Sequence, residues 1–436
     1  MLEKILAARE ARAQKQKQLL QQYKQPLVCF TMNIAGPVKN SELITAGFRL
    51  GQKLLNDRFV PEYEEEIIAD TGCEYYYVVE GDVKVIKQQV CQIEDSFPMG
   101  RLFDMDVIAA DGTKISREDV GLQPRKCLLC DNDAMVCGRS RAHTVAELQA
   151  ETERLLNEGL RTQRAADIGN KAVYALICEV YATPKPGLVD RNNTGSHKDM
   201  DLRMFAASAE ALFPYFAACA RIGMETSAQS PAETFALLRT EGLAAEPVMY
   251  AQTNGANTHK GAIFTMGLLC GAAGRTASRK PEVLLREVAT MTAGLCEKDF
   301  AHITEETAVT TGQKLFAKYG ITGIRGQAEQ GYPALLQAGL PVLEKGLADG
   351  LDLNDAGCAA LLHLLCAVTD TNMIARSDVD TAKAMTDKIA AILKETPYPE
   401  KAVIEQLDAE FIEKNLSPGG AADLLAATYF LYILNQ

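Results

Sequence analysis

Tryptophan is absent from this 436-residue chain, and histidine occurs only five times. With so few imidazoles, each can be weighed singly as a base, a ligand or a core residue. Long apolar runs are missing too. The longest uncharged ones, Gly261–Gly274 and Ala356–Thr369, fall short of the roughly 18 residues that read as a membrane span. The opening stretch MLEKILAAREARAQKQKQ contains no apolar h-region, so no signal peptide is read and a cytoplasmic location is expected. Positive charge is in deficit: 45 Lys and Arg face 57 Asp and Glu, for a net charge of −12. Nucleic acid and anionic membrane want a cationic face, so neither is expected as a partner, and any anion site must be a local basic cluster. Twelve cysteines in such a chain point to buried thiols or metal ligands rather than disulfides.

What is present suits a globular protein with sizeable cores, since 47% of residues are hydrophobic and 23% charged. The length suggests about two or three domains. Residues 1–24 read as one charged amphipathic helix. β-rich runs at 26–34, 74–79 and 101–110 are interrupted by a helical pattern over about 41–57. Asp111-Gly112 marks a hairpin that returns through Lys114–Ser116. From Thr144 the strands disappear. Thr144 and Glu147 form a capping box opening a helix expected to end near Asn157. Later segments have helical periodicity with Gly or Pro only at the joints.

In Gly100-Arg-Leu-Phe-Asp-Met-Asp-Val-Ile108, strand alternation puts Asp104 and Asp106 on one side, roughly 7 Å apart at the backbone. Such a pair suits joint coordination of Mg²⁺, as nucleotidyl transfer requires; a solvent-facing strand with two acids is the simpler alternative. Downstream, Arg125, Lys126, Arg139, Arg141 and His143 form a basic cluster that suits a triphosphate clamp or a solvated loop. In the same segment Cys127, Cys130, Cys137 and His143 have structural zinc spacing, with small buried hydrophobes as the alternative.

Arg101-Leu-Phe-Asp-Met-Asp, Arg125-Lys-Cys-Leu-Leu-Cys, Cys137 and Arg139-Ser-Arg-Ala-His143 together resemble the CitX family of phosphoribosyl-dephospho-coenzyme A transferases of citrate lyase maturation. From Gln163 onward the chain resembles the CitG family of triphosphoribosyl-dephospho-coenzyme A synthases. The matching stretches are Thr183–Asp190, Gly195–Asp201, Asn257–Phe264, Asp370–Arg376 and Ser417–Asp423. The resemblance implies an α+β nucleotidyltransferase-like domain over 1–160, extra helix included, followed by a larger all-α domain over 161–436. It implies that ATP and 3′-dephospho-coenzyme A are joined with loss of adenine. The product is then transferred to a serine of the apo citrate lyase acyl carrier subunit with loss of diphosphate. Mg²⁺ is the expected cofactor, with structural Zn²⁺ as an option. Arg101 joins the basic cluster as a phosphate contact.

Breaking a ribose–adenine bond needs a base for the attacking hydroxyl, help for the leaving base and a triphosphate clamp. Two prolines stiffen the loop around Lys185, a phosphate contact, and fix Asp190 as a catalytic acid. His197, Asp199 and Asp201 precede a helix expected over Leu202 to about Ala220, where base or metal work competes with ordinary helix-entry acids. Asn257, Thr258, His259 and Lys260 stand before a glycine-rich apolar helix, a natural phosphate seat. Asn372 and Arg376 share a helical face after Asp370. Ser417 reads as an N-cap with Pro418 at N1, and Gly419 and Gly420 admit a ligand to the backbone; Asp423 follows. Asp370 and Asp423 join Asp199 and Asp201 as Mg²⁺ candidates. His302 and His363 read as structural. Two other readings stand beside this one: a different Mg²⁺-dependent nucleotidyltransferase, or a non-catalytic zinc-stapled assembly factor.

Overall fold

The computed structural model describes residues 2–436, with residue 2 described by its backbone alone. The chain divides into two compact units, Met1–Gln163 and Arg164–Gln436.

The first unit holds α1 (Leu2–Tyr23), β1 (Leu27–Met32), α2 (Glu42–Asn56), β2 (Tyr63–Ala69), β3 (Gly72–Val78), α3 (Val83–Ser96), β4 (Phe103–Ile108), β5 (Lys114–Ile115) and α4 (Ala134–Ser140). Its five strands pair antiparallel in the order β2-β3-β1-β4-β5. Central β1 reads Leu-Val-Cys-Phe-Thr-Met because both of its faces are covered. On one face Phe30, Tyr75, Tyr77, Phe103, Met105 and Val107 pack against α2 and α3. On the other, Leu19 and Leu20 of α1 pack on Leu27, Cys29, Tyr76, Val78 and Ile108. Arg12 Nε donates to Glu74 Oε1 at 2.9 Å, and Lys15 pairs with Glu65 at 2.6 Å. Helix α1 therefore covers this face of the sheet. Strand β2 escapes the sequence reading because Tyr-Glu-Glu-Glu looks polar; as an edge strand it keeps those acids exposed or half-exposed.

Helix α5 (Val145–Tyr181) opens on the expected capping box, with Glu147 N donating to Thr144 Oγ1 at 3.2 Å. It does not stop near Asn157. Gly159 is a packing residue there, since a Cβ on it would lie 2.7 Å from the Met99 methyl.

The second unit comprises the later turns of α5 and fourteen further helices. In order these are α6 (Leu202–Ala211), α7 (Phe213–Glu225), α8 (Pro231–Gln252), α9 (Lys260–Thr276), α10 (Pro281–Met291), α11 (Leu295–Phe300), α12 (Thr311–Tyr319) and α13 (Gly323–Glu329). A π-turn (Leu335–Gly339) then leads to α14 (Leu340–Ala348), α15 (Leu353–Ala367), α16 (Thr371–Arg376), α17 (Val379–Glu395), α18 (Lys401–Glu413) and α19 (Gly419–Asn435). The expected helix over 202–220 is broken at Leu212. Pro214 near the start of α7 has no N–H to continue the ladder. Helix α9 runs through the core, and its glycines are contact points: a Cβ on Gly274 would sit 2.0 Å from Ala220 O of α7. Among the described residues no helix is long and apolar enough to cross a membrane.

Candidate functional site

A cavity of about 790 Å³ opens in the helical unit. Its walls are the last turns of α5, the 185–200 loop, the starts of α9 and α19, the short helix α16, and the stretch around α12 and α13. Two helix N-termini thus turn their positive dipole ends toward one space, with Asn257 and Asp370 accepting the N–H groups of Lys260 and Ala421.

His197 forms part of this wall. Arg376 Nη2 donates to its Nδ1 at 3.1 Å, so the proton resides on Nε2, which donates to Ser417 Oγ at 2.8 Å. Burial, reinforced by the Arg376 charge, holds the imidazole pKa down to about 4. The ring is neutral at pH 7 with both nitrogens engaged, so it orients Ser417 and Arg376 rather than standing as a free base. Ser417 is not the N-cap that its sequence suggests. Pro418 occupies that position, and the serine hydroxyl turns to His197 instead.

His259, the residue before α9, is 2% exposed. Thr258 Oγ1 donates to Ser208 Oγ at 3.0 Å, and Ser208 Oγ lies 2.8 Å from His259 Nδ1. With the Ser208 hydroxyl donating to Nδ1, the ring proton sits on Nε2, which has no hydrogen-bond partner among the described residues. Burial, followed by the charge of Lys185, lowers the pKa to about 3. Gln327 Oε1 is also buried without a partner, and both residues line the cavity. Each unmet group costs about 1–3 kcal/mol unless a ligand satisfies it.

Three carboxyl groups share the same space. Asp370 accepts the N–H groups of Asn372 (2.8 Å), Met373 (3.0 Å) and Ala421 (2.8 Å), tying α16 to α19. Burial raises its pKa against those bonds. Burial raises Asp423 well above the usual carboxylate range, and the charges of Glu179 and Asp370 push it further; the Ala262 N–H opposes. Burial raises Glu179 too, opposed by its ion pair with Lys185, whose Nζ also donates to Glu179 O at 2.7 Å. Carboxyl groups crowded in this way hold a proton or a cation between them. Gly261 makes room for Asp423, since a Cβ on it would lie 1.9 Å from Asp423 Oδ2.

In the α/β unit the Asp-Met-Asp strand is braced from behind. Lys87 Nζ donates to Met105 O at 3.2 Å, and Glu94 Oε1 accepts the Met105 N–H at 3.1 Å. These two buried side chains of α3 stand in for a missing strand partner along that edge. Asp104 is exposed and Asp106 half-buried, opposite Thr31 and Cys29 of β1. Lys114 Nζ sits 2.6 Å from Asp106 Oδ2. Glu94 also binds Arg125 and, at 3.1 Å, Arg117. Arg101 donates to the carbonyls of Lys126 and Cys127. Arg101, Arg117 and Arg125 are thus engaged within the unit, whereas Arg139 and Arg141 lie exposed at the end of α4. Lys126 pairs loosely with Asp131 at 3.3 Å. Cys127, Cys130, Cys137 and His143 converge, with one ligand atom from each within 4.8 Å of all the others.

Comparison with known proteins bears on both units. The family model for apo-citrate lyase phosphoribosyl-dephospho-CoA transferase, CitX, matches residues 1–159. That for ATP:dephospho-CoA triphosphoribosyl transferase, CitG, matches residues 165–436. Protein CitXG of Haemophilus influenzae is 36% identical over 98% of this chain and 95% of its own length. Protein CitXG of Leuconostoc mesenteroides subsp. cremoris is 34% identical over 99% of this chain and 96% of its own. A 2-(5''-triphosphoribosyl)-3'-dephosphocoenzyme-A synthase of Pectobacterium atrosepticum is 40% identical over 61% of this chain and 88% of its own. The chain belongs to the CitX–CitG fusion family.

Within the CitG part, the residues singled out from sequence separate by position. Lys185, His197 and Asp199 line the cavity from the loop, and Asn257, Thr258, His259 and Lys260 from the α9 entry. Asp370, Asn372 and Arg376 line it from α16, and Ser417, Gly419, Gly420 and Asp423 from the α19 entry. Asp190 and Asp201 do not. Asp190 accepts the backbone N–H groups of Lys185 (3.0 Å), Asn192 (2.7 Å) and Asn193 (3.1 Å), and so shapes the loop. Asp201 caps α6 through Met204 N at 2.9 Å. Sequence reasoning missed Glu179, Ser208 and Gln327, which sit inside ordinary helices with no distinguishing spacing. It also missed Glu94 and Lys87, whose sole signal is burial.

Proposed function

We propose that this protein makes the citrate lyase prosthetic group in its helical unit and attaches it with its α/β unit. In the first reaction the ribose 2′-hydroxyl of 3′-dephospho-coenzyme A attacks C1 of the ATP ribose. The C1–N9 bond breaks and adenine leaves with a proton. The product keeps the triphosphate on its new ribose. In the second, a serine hydroxyl of the apo acyl carrier subunit attacks the phosphorus next to that ribose and diphosphate departs.

The observation that carries the first step is the pair of unmet buried atoms in the cavity. Adenine presents an acceptor, N7, beside a donor, the N6 amino group. His259 Nε2–H and Gln327 Oε1 offer the complementary donor and acceptor. Arg376 and the positive dipole ends of α9 and α19 face the triphosphate. The Glu179–Asp423–Asp370 group has crowded carboxyls of raised pKa, as a base for the 2′-hydroxyl requires. For the second step, the braced strand β4 supports a nucleotidyltransferase-like reading of the first unit. Asp104 and Asp106 fit Mg²⁺, being neighbouring hard oxygen donors on one side of β4, the first exposed and the second half-buried. When bound, that ion supplies charge neutralisation to the diphosphate. Arg139 and Arg141 reach the same phosphates, and Lys114 balances Asp106 until substrate arrives.

The test is release of free adenine by the full-length protein from ATP, with and without 3′-dephospho-coenzyme A. The reading requires release only when both are present. ATP breakdown to ADP or AMP with adenine retained would refute it.

A further inference from the structure

We propose that Cys127, Cys130, Cys137 and His143 bind one structural zinc ion, which holds the 125–143 segment and through it Arg101. The donors are three sulfurs and an imidazole with no carboxylate, a set that selects zinc over Mg²⁺. Their spacing is nearly that of a coordination shell. Cys130 Sγ lies 3.5 Å from Cys137 Sγ and 3.3 Å from His143 Nε2. A tetrahedron with Zn–S bonds near 2.3 Å spaces its sulfurs about 3.8 Å apart. A disulfide needs about 2.05 Å and would leave a third thiol and a histidine gathered for nothing.

The backbone is folded for the purpose. Cys127 N donates to Asn132 O at 2.7 Å and Ala134 N to Arg125 O at 2.9 Å, closing a small hairpin over Lys126 and Asp133. Helix α4 then carries Cys137. Arg141 turns the chain with φ of +52° and so returns His143 to the thiols. Apart from Leu128 against the core of the sheet and the Arg125–Glu94 pair, little else holds this segment. Cys127 and Cys137 are the only buried residues between 126 and 143, while Met135 and Val136 are 63% and 60% exposed. A stretch with no apolar core of its own needs a staple, and a metal provides one.

The consequence reaches the α/β site. The carbonyls of Lys126 and Cys127 receive Arg101, three residues before Asp104. Arg139 and Arg141 follow Cys137 by two and four residues. Zinc should therefore govern carrier modification and leave adenine release alone, and this second readout separates failure of the zinc site from failure of the function proposed above.

The experiment is elemental analysis of full-length protein, with Co²⁺ exchanged into the site as a spectroscopic probe. The expected result is about one zinc per chain, and for Co²⁺ the visible bands of a tetrahedral thiolate site. Cys130→Ser should lose the metal and the bands, with at least a tenfold fall in carrier modification and unchanged adenine release. His143→Cys, which keeps four ligands, should retain zinc even if Cys130→Ser folds poorly. Protein that modifies carrier yet holds no zinc and gives no cobalt bands would overturn the proposal. A Cys130–Cys137 disulfide in active protein, or full zinc in Cys130→Ser, would do the same.

Discussion

Replacing Gly261 by alanine tests the cavity with a single methyl group. The added carbon would stand 1.9 Å from Asp423 Oδ2. Non-bonded heavy atoms settle at roughly 3.5 Å, so the carboxyl must retreat by about 1.5 Å or the first turn of α9 must move. Helix α9 is embedded in the core of the helical unit, and Asp423 is half-buried at the cavity wall. Overpacking of this kind costs about 1–3 kcal/mol, which lowers the melting temperature of a unit of this size by a few degrees. The rate should suffer more, because displacing a positioned group by about 1 Å costs on the order of 10². The assay is chromatographic measurement of adenine released at saturating ATP and 3′-dephospho-coenzyme A, with thermal unfolding recorded in parallel. Carrier modification from pre-formed intermediate should be unchanged, since Asp104 and Asp106 lie in the other unit. A folded Gly261→Ala protein that releases adenine at near-normal rate would refute a role for Asp423 and its neighbours.

Asp104→Asn should abolish carrier modification while adenine release continues; loss of both together would contradict the division of labour between units. His197 is neutral down to about pH 4, so kcat for adenine release should show no step near pH 6.5 that vanishes in His197→Gln, whereas kcat itself should fall by about 10² through lost positioning. A step near 6.5 belonging to His197 would show that the imidazole titrates as a free base. His259 is held near pKa 3 in the fold against about 6.5 unfolded. In that window the unfolded chain binds the extra proton, so the stability from burying neutral His259 is complete above pH 6.5 and drains away as pH falls toward 3. The buried carboxyls with raised pKa act in the opposite sense, so the comparison must be a difference. Between pH 6.5 and 4, wild type should lose about 3 kcal/mol more than His259→Asn, measured by denaturant unfolding; equal slopes would contradict the buried, neutral assignment.

Features carried by local pattern were legible in the sequence. Strand β4 announces itself by alternation and the Asp111-Gly112 turn, and the Cys-x₂-Cys spacing needs only one segment to bring its ligands together. Features set by tertiary packing were not. Strand β2 hides behind three glutamates because an edge strand tolerates charge. Gly159 looks like a stop and is instead the contact for Met99. Asp190, Asp199 and Asp201 are chemically alike in the sequence; neighbouring N–H groups claim the first and third, leaving Asp199 facing the cavity. Glu179 gave no sign at all, since an acid in a long helix is ordinarily solvated, and the fold alone buries it beside Lys185.

The central claim is that one chain both builds the group and attaches it. Its most direct test is intact-mass analysis of the apo citrate lyase acyl carrier subunit after incubation with this protein, ATP, Mg²⁺ and 3′-dephospho-coenzyme A. A single mass increase equal to the phosphoribosyl-dephospho-coenzyme A group is expected, in step with free adenine and diphosphate, and no increase when 3′-dephospho-coenzyme A is omitted. An unmodified carrier, or one carrying an adenylyl group with no adenine released, would contradict it.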